Sequence, residues 1–266
     1  MREIRRMYFV GLPVASMLLC LAIGVASPDF YRSRVRKHEV GLLEQGTVLC
    51  LAPAVVLGVV AWRRRRKLPA AWLGAWLVLL TAGALYYGGE ECSWGQNYFG
   101  WATPGNWSAI NDQRETNLHN TSAAFDQVPR DLLTLAAGVG IIAPVLLARR
   151  LRQCDPRTSP LPWFLPTAAV IPAAALALVV GLPQKFYGKY DKTAEAQTWF
   201  TEMFLAGRHS ELKEFFLAMF ILMYMWSLAT RLATMIETPS LPDREPTGIH
   251  PQAFQARPKS HRSQAA

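Results

Sequence analysis

Six apolar runs, each close to the length of a membrane span, divide the chain and leave few folds open to it. They cover about residues 8–26, 40–62, 69–89, 132–148, 162–182 and 211–232. A helix of about 20 apolar residues crosses the hydrocarbon core of a bilayer. Inside that core every backbone N–H and C=O needs a partner within the protein, and a helix supplies one turn by turn. The expectation is an all-α polytopic membrane bundle of about six transmembrane helices, built from residues 1–236.

Charge decides the orientation. Of 266 residues, 51% are hydrophobic and 18% charged, with a formal net charge of +9. A soluble chain of this length carries more charge and spreads it more evenly. Here the basic residues collect at the ends of apolar runs: Arg2, Arg5 and Arg6, then Arg63 to Lys67, then Arg149, Arg150 and Arg152. That is the positive-inside pattern rather than a nucleic-acid stripe. It sets both termini in the cytoplasm of a multi-pass inner-membrane protein, with membrane lipid and not nucleic acid as partner. Arg32, Arg34, Arg36 and Lys37 fall on the outer side and run against the count. The first run is long for a signal peptide and lacks a clean A-x-A-like site, so it reads as an uncleaved helix. Pro166 and Pro172 predict a kinked fifth span. Residues 237–266, rich in Pro, Ser, Gln and Arg, read as a disordered cytoplasmic tail. The four cysteines show no CxxC spacing, so neither a zinc site nor a disulfide framework is indicated. Cys92 reads as a small buried filler rather than a nucleophile.

The chemistry-bearing residues concentrate between the third and fourth spans, in GGEECSWGQNYFGWATPGNWSAINDQRETNLHN, residues 88–120. Glu90 and Glu91 end an apolar span. Ionisable groups at that depth face the interior of a bundle and have partners, and Ser93, Gln96 and Asn97 follow directly. The plainer reading is that the two carboxylates mark the water boundary. After the turn signal Thr103-Pro104-Gly105, a short interfacial helix is expected through Asn111 to His119. Asn111, Glu115 and His119 would then share one face at i, i+4, i+8. Glu115 and His119 could hold a divalent metal such as zinc, manganese or iron; the plainer reading is an exposed, capped helix with a Glu–His contact. Glu211 and Glu214 open the sixth span beside Arg208 and His209, where the helix dipole alone would account for carboxylates. His38, Glu39 and Glu44 lie at the outer end of the second span. All these groups share one predicted depth, which is the argument for a single site. Ser93 as a nucleophile would need a base such as His119.

The motif GEE-x-SWGQ-x-x-FG-x-x-TP followed by N-x-Q-x-ETNLHN resembles that of a family of uncharacterised bacterial multi-pass membrane proteins. It runs from Gly89, Glu90, Glu91, Ser93, Trp94, Gly95 and Gln96 to Glu115, Thr116, Asn117, Leu118, His119 and Asn120. The resemblance implies a membrane bundle and brings no activity with it. A weaker likeness is to intramembrane CAAX-type proteases, which also place paired glutamates and histidines in a helical bundle. Their EExxxR pattern has no arginine counterpart here, where Gln96 and Asn97 follow the glutamates.

Two functions remain in view. One is a metal-dependent hydrolase or transferase acting on a lipid or lipid-linked substrate at the outer face. Glu90, Glu91, Glu115 and His119 would be ligands or acid–base groups, with Glu214, His209, Glu44, Gln96 and Asn111 behind them. The other is a small transporter or assembly partner whose polar cluster binds a ligand or stabilises the bundle.

Overall fold

The computed structural model describes residues 3–37, 40–111, 114–187, 198–205 and 209–237. Within them there is no strand, and six helices are long and apolar enough to cross a membrane. We label the spans α1 (Arg6–Ala26), α2 (Leu42–Arg63), α3 (Trp72–Glu91), α4 (Ala123–Leu146), α5 (Ile171–Val179, the core of a broken span) and α6 (Ser210–Glu237). The fold class is the one that apolar length predicts. Of the tail expected at 237–266, Glu237 is the last residue of α6 and the rest lies outside the described residues.

The bundle is organised around α6. In its most apolar window 72% of residues are buried, against 17% in α1 and in α4. Its sequence explains why: Leu212, Phe216, Leu217, Met219, Phe220, Met223, Met225, Leu228 and Leu232 point in all directions around the axis, and all are buried. A helix that is apolar all round belongs inside a bundle. α2 and α3 pack as a pair, with α6 against α2; α5 covers another side of α6 and carries α1 and α4. Small residues allow the close approaches. A Cβ on Gly58 would collide with Thr81 Oγ1, between α2 and α3. Where the tails of lipids are as apolar as leucine, such close backbone contact is what holds helices together.

The fifth span is broken, not merely kinked. A helical turn at Leu161–Phe164 stops before Pro166, a 3-10 turn covers Ala168–Val170, and Leu182–Tyr187 follows α5 as a separate piece. Pro166 has no N–H to give to the Pro162 carbonyl, so that acceptor is released inside the bundle. α6 satisfies the freed groups from the side. Arg231, 4% exposed, donates to the Pro162 carbonyl, and the Tyr224 hydroxyl donates to the Phe164 carbonyl while accepting from Trp76 Nε1 at 3.1 Å. The Thr167 and Ser227 hydroxyls lie 3.1 Å apart.

Two expectations need correction. The fourth helix starts at Ala123, well before residue 132, because Asp126 and Arg130 pair along the helix at i, i+4 and so enter it together. The helix expected through Asn111 to His119 is absent among the described residues. Residues 105–108 form one turn, and the chain then runs irregularly to a 3-10 turn at His119–Thr121. Here the backbone bonds to side chains instead of to itself, as described below.

The break predicts a measurable dependence. Tyr224→Phe leaves the Phe164 carbonyl without its donor and should lower stability by about 1–3 kcal/mol. Thermal unfolding of the purified protein in detergent reads this directly, and an unchanged transition would mean that the carbonyl is not satisfied from α6.

Candidate functional site

The site starts with a reversal of the chain. At the end of α3, Ser93, Trp94 and Gly95 take consecutive left-handed conformations, with φ of 46°, 55° and 103°. Outside glycine that conformation costs about 1–2 kcal/mol per residue, and local contacts offset it. The Trp94 indole donates to Glu90 Oε1 at 2.7 Å, and its ring lies where a Cβ on Gly89 would come within 2.8 Å. Ser93 donates to Glu115 Oε2 at 2.6 Å and accepts from Asn117 Nδ2 at 3.1 Å.

The loop that follows is held by the polar residues of the motif. Gln96 donates to Thr103 Oγ1 at 2.8 Å and to the Trp101 carbonyl at 3.1 Å, and accepts from Thr116 N at 2.7 Å. Asn111 donates to the Asn117 carbonyl and its side-chain oxygen, both at 2.9 Å, and accepts from Glu115 N at 3.0 Å. Short polar side chains that offer the backbone such bonds compete with helix formation; this is why the i, i+4, i+8 spacing of Asn111, Glu115 and His119 builds no helix. Arg114, at φ 57°, marks the turn.

All of this delivers one pair. Glu90, 4% exposed, accepts from Leu118 N at 2.6 Å and His119 N at 2.7 Å through Oε2, and His119 Nδ1 lies 3.4 Å from the same oxygen. With its proton on Nδ1, facing the carboxylate, the ring would present the Nε2 lone pair as a base. The His119 ring is about one-third exposed and lines a cavity of about 580 Å³.

That cavity lies between α3 and α4 with α6 as its floor. Its length is apolar: Leu79, Leu80 and Gly83 from α3, Leu133, Ala136 and Val139 from α4, and Phe220 from α6. One end is polar, with Glu90, Glu91, His119, Asp126, Arg130 and Glu214. Arg130 bridges Asp126 and Glu214, lying 2.8 Å from Glu214 Oε1. Tyr87 fastens α3 to α6 at this level by donating to the Glu214 carbonyl at 3.1 Å.

The candidates therefore divide. Glu90, Glu91, His119 and Glu214 meet at the polar end of one cavity. Glu115, Gln96 and Asn111 are engaged in the loop that positions His119. Glu115 and His119 share no helix face: the first turns to Ser93 and Asn117, the second to Glu90. Among the described residues, no group of three or more His, Cys, Asp or Glu side chains is placed to hold a metal ion. Glu44 caps α2, accepting from Val40 N at 2.6 Å and Gly41 N at 3.3 Å. His209 lies against Gly181 at the start of α6, apart from the cavity lining. His38, Glu39 and Arg208 fall outside the described residues. Burial pushes the Cys92 thiol above its ordinary pKa, which keeps it protonated and suits a filler.

Asp126 and Arg130 are the functional-site residues that sequence reasoning missed. Their signal was present as an acid and a base at i, i+4 just before an apolar run, the pattern of a helix that begins earlier. A second group missed is Glu202, 1% exposed, with Arg36 at 3.6 Å, tying the Trp199–Phe204 helix to the segment after α1.

No protein-family model, no curated protein and no solved structure matches this chain.

His209 yields a pH prediction. Burial first, and then the positive charges of Lys213, Arg130 and Lys185, pull its pKa below the ordinary 6.5. A depressed histidine favours folding in its neutral form, so its contribution is complete above the unfolded value and is lost as pH falls through the lowered folded value. The melting temperature should therefore drop more steeply between pH 7 and 5 in the wild type than in His209→Gln; parallel profiles would show that His209 titrates as it does unfolded.

Proposed function

We propose that this protein is an inner-membrane hydrolase or transferase that admits a lipid or lipid-linked substrate sideways between α3 and α4, with His119 as the acid–base group and Glu90 as its orienting partner. The observation that carries this reading is the amphipathic cavity. Its apolar part follows α3 from Trp76 to Glu90, a run of about 20 Å. That suits an alkyl or isoprenoid chain lying parallel to the helices. Its polar end holds a histidine whose Nδ1 side faces a buried carboxylate, an arrangement suited to removing a proton from water or a substrate hydroxyl. Arg130 stands across the same end, where a developing negative charge would be stabilised.

The basic clusters Arg63–Lys67 and Arg149–Arg152 lie at the opposite ends of α2 and α4 from the polar mouth. With the positive-inside pattern, this supports a mouth at the outer face and both termini in the cytoplasm.

A second reading, lipid binding without turnover, draws on the loop itself. Ser93, Asn111, Glu115 and Asn117 spend their hydrogen-bonding capacity on one another, and Gln96 spends its own on Trp101, Thr103 and Thr116.

The test is direct. The purified protein is incubated with a total membrane-lipid extract, and consumed and product lipids are identified by mass spectrometry. His119→Ala should lower turnover by about a hundredfold or more while leaving lipid occupancy unchanged. Turnover abolished by a chelator and restored by a divalent cation would add a metal to the mechanism; turnover that survives it would leave the proton transfer to His119 and Glu90. Lipid occupancy without any turnover in the wild type would favour the binding reading.

A further inference from the structure

Resting on the proposed lipid cavity, we infer that its occupant carries an ammonium group at the polar end: an amine-headed amphiphile with one alkyl chain, not a phosphate-headed lipid. The argument is the distribution of charge around one side chain. Four carboxylates line the polar end, those of Glu90, Glu91, Asp126 and Glu214, against the single guanidinium of Arg130. Three of the four are already engaged. Glu90 receives the Trp94 indole, two backbone N–H groups and the Nδ1 edge of His119. Asp126 and Glu214 share Arg130 between them.

Glu91 is different. It lines the cavity, yet among the described residues no hydrogen bond or ion pair reaches its carboxylate. The charges that act on it most are of its own sign, those of Glu214, Glu211 and Glu44, and Arg130 opposes them. It also sits at the C-terminus of α3, where the helix dipole disfavours an anion. Nothing in the fold recommends a carboxylate there, and an ionisable group at membrane depth without a partner marks a place where a ligand supplies one.

An ammonium would satisfy Glu91 with a charge-assisted hydrogen bond and relieve its repulsion from Glu214. A phosphate would meet the same carboxylates with only Arg130, whose charge is divided between two acids, to receive it. The cavity, about 580 Å³, falls in the range that encloses a drug-sized ligand and accommodates one chain with a compact head.

Three probes of one chain length separate head from tail: hexadecylamine, hexadecanol and hexadecyl phosphate, offered in equal amounts to the full chain in detergent. Bound adducts are counted by native mass spectrometry. Gly83→Trp serves as a plug, since Gly83 lines the cavity and a Cβ there meets nothing within 4 Å. The expected result is amine bound over alcohol and phosphate by about tenfold or more, the size of one charge-assisted hydrogen bond. That preference should collapse in Glu91→Gln, and all three adducts should disappear in Gly83→Trp. If the plug removes the adducts but phosphate or alcohol binds as well as the amine, or the preference survives in Glu91→Gln, the headgroup inference is overturned and the cavity reading stands. If no probe binds, or the plug changes nothing, the cavity reading fails and takes this inference with it.

Discussion

Glu90 is the residue on which the polar end of this bundle depends. A carboxylate at the C-terminus of an apolar helix is placed against the helix dipole and largely out of water, so it needs donors. It takes them from three directions: the Trp94 indole from the turn just after α3, and the backbone N–H groups of Leu118 and His119 together with the His119 ring, from the far end of the loop. A chain segment of some thirty residues is thereby closed onto one side chain. The left-handed run at Ser93, Trp94 and Gly95 makes sense only within that closure. It turns the indole back onto Gly89 and presents Ser93 to Glu115 and Asn117.

The apolar body of the bundle depends on α6. Because it is apolar on every side, the other helices are arranged around it and need not all touch one another. α3 and α4 line the same face of α6 with a gap between them, and that gap is the cavity. The broken fifth span belongs to the same logic. Arg231 and Tyr224 of α6 reach across to carbonyls that proline released, so an irregular backbone is tolerated at membrane depth because protein surrounds it. Structure and chemistry meet at the level of Tyr87 and Glu214, where α3 and α6 are fastened and the apolar cavity becomes polar.

The six spans were legible because apolar length is a strong signal and the bilayer admits few answers to it. Shared depth was a coarser guide to the site: Glu90, Glu91, His119 and Glu214 line one cavity, whereas Glu44, Glu115 and His209, expected at the same depth, lie elsewhere. The loop was not legible. Its spacing at 111, 115 and 119 matched a helix, but Asn111 and Gln96 bond backbone groups of Glu115, Thr116 and Asn117 that a helix would have used, and periodicity carries no record of that competition. Glu115 was read as a site residue and turned out to brace Ser93, a distinction that depends on which way the loop folds back. Arg130 stands just before the apolar run at 132–148. It lies inside α4 because its two carboxylate partners, Asp126 and Glu214, offset the cost of placing a guanidinium there.

The central claim is that the Glu90 carboxylate closes the loop and sets His119 at the cavity mouth. Amide hydrogen exchange tests it most directly, followed at Leu118 and His119 in the wild type and in Glu90→Ala, with the α6 amides as an internal reference. The account predicts slow exchange at both amides in the wild type, fast exchange at both in the variant, and no change in α6. Fast exchange at Leu118 and His119 in the wild type, or protection that survives loss of the carboxylate, would contradict it.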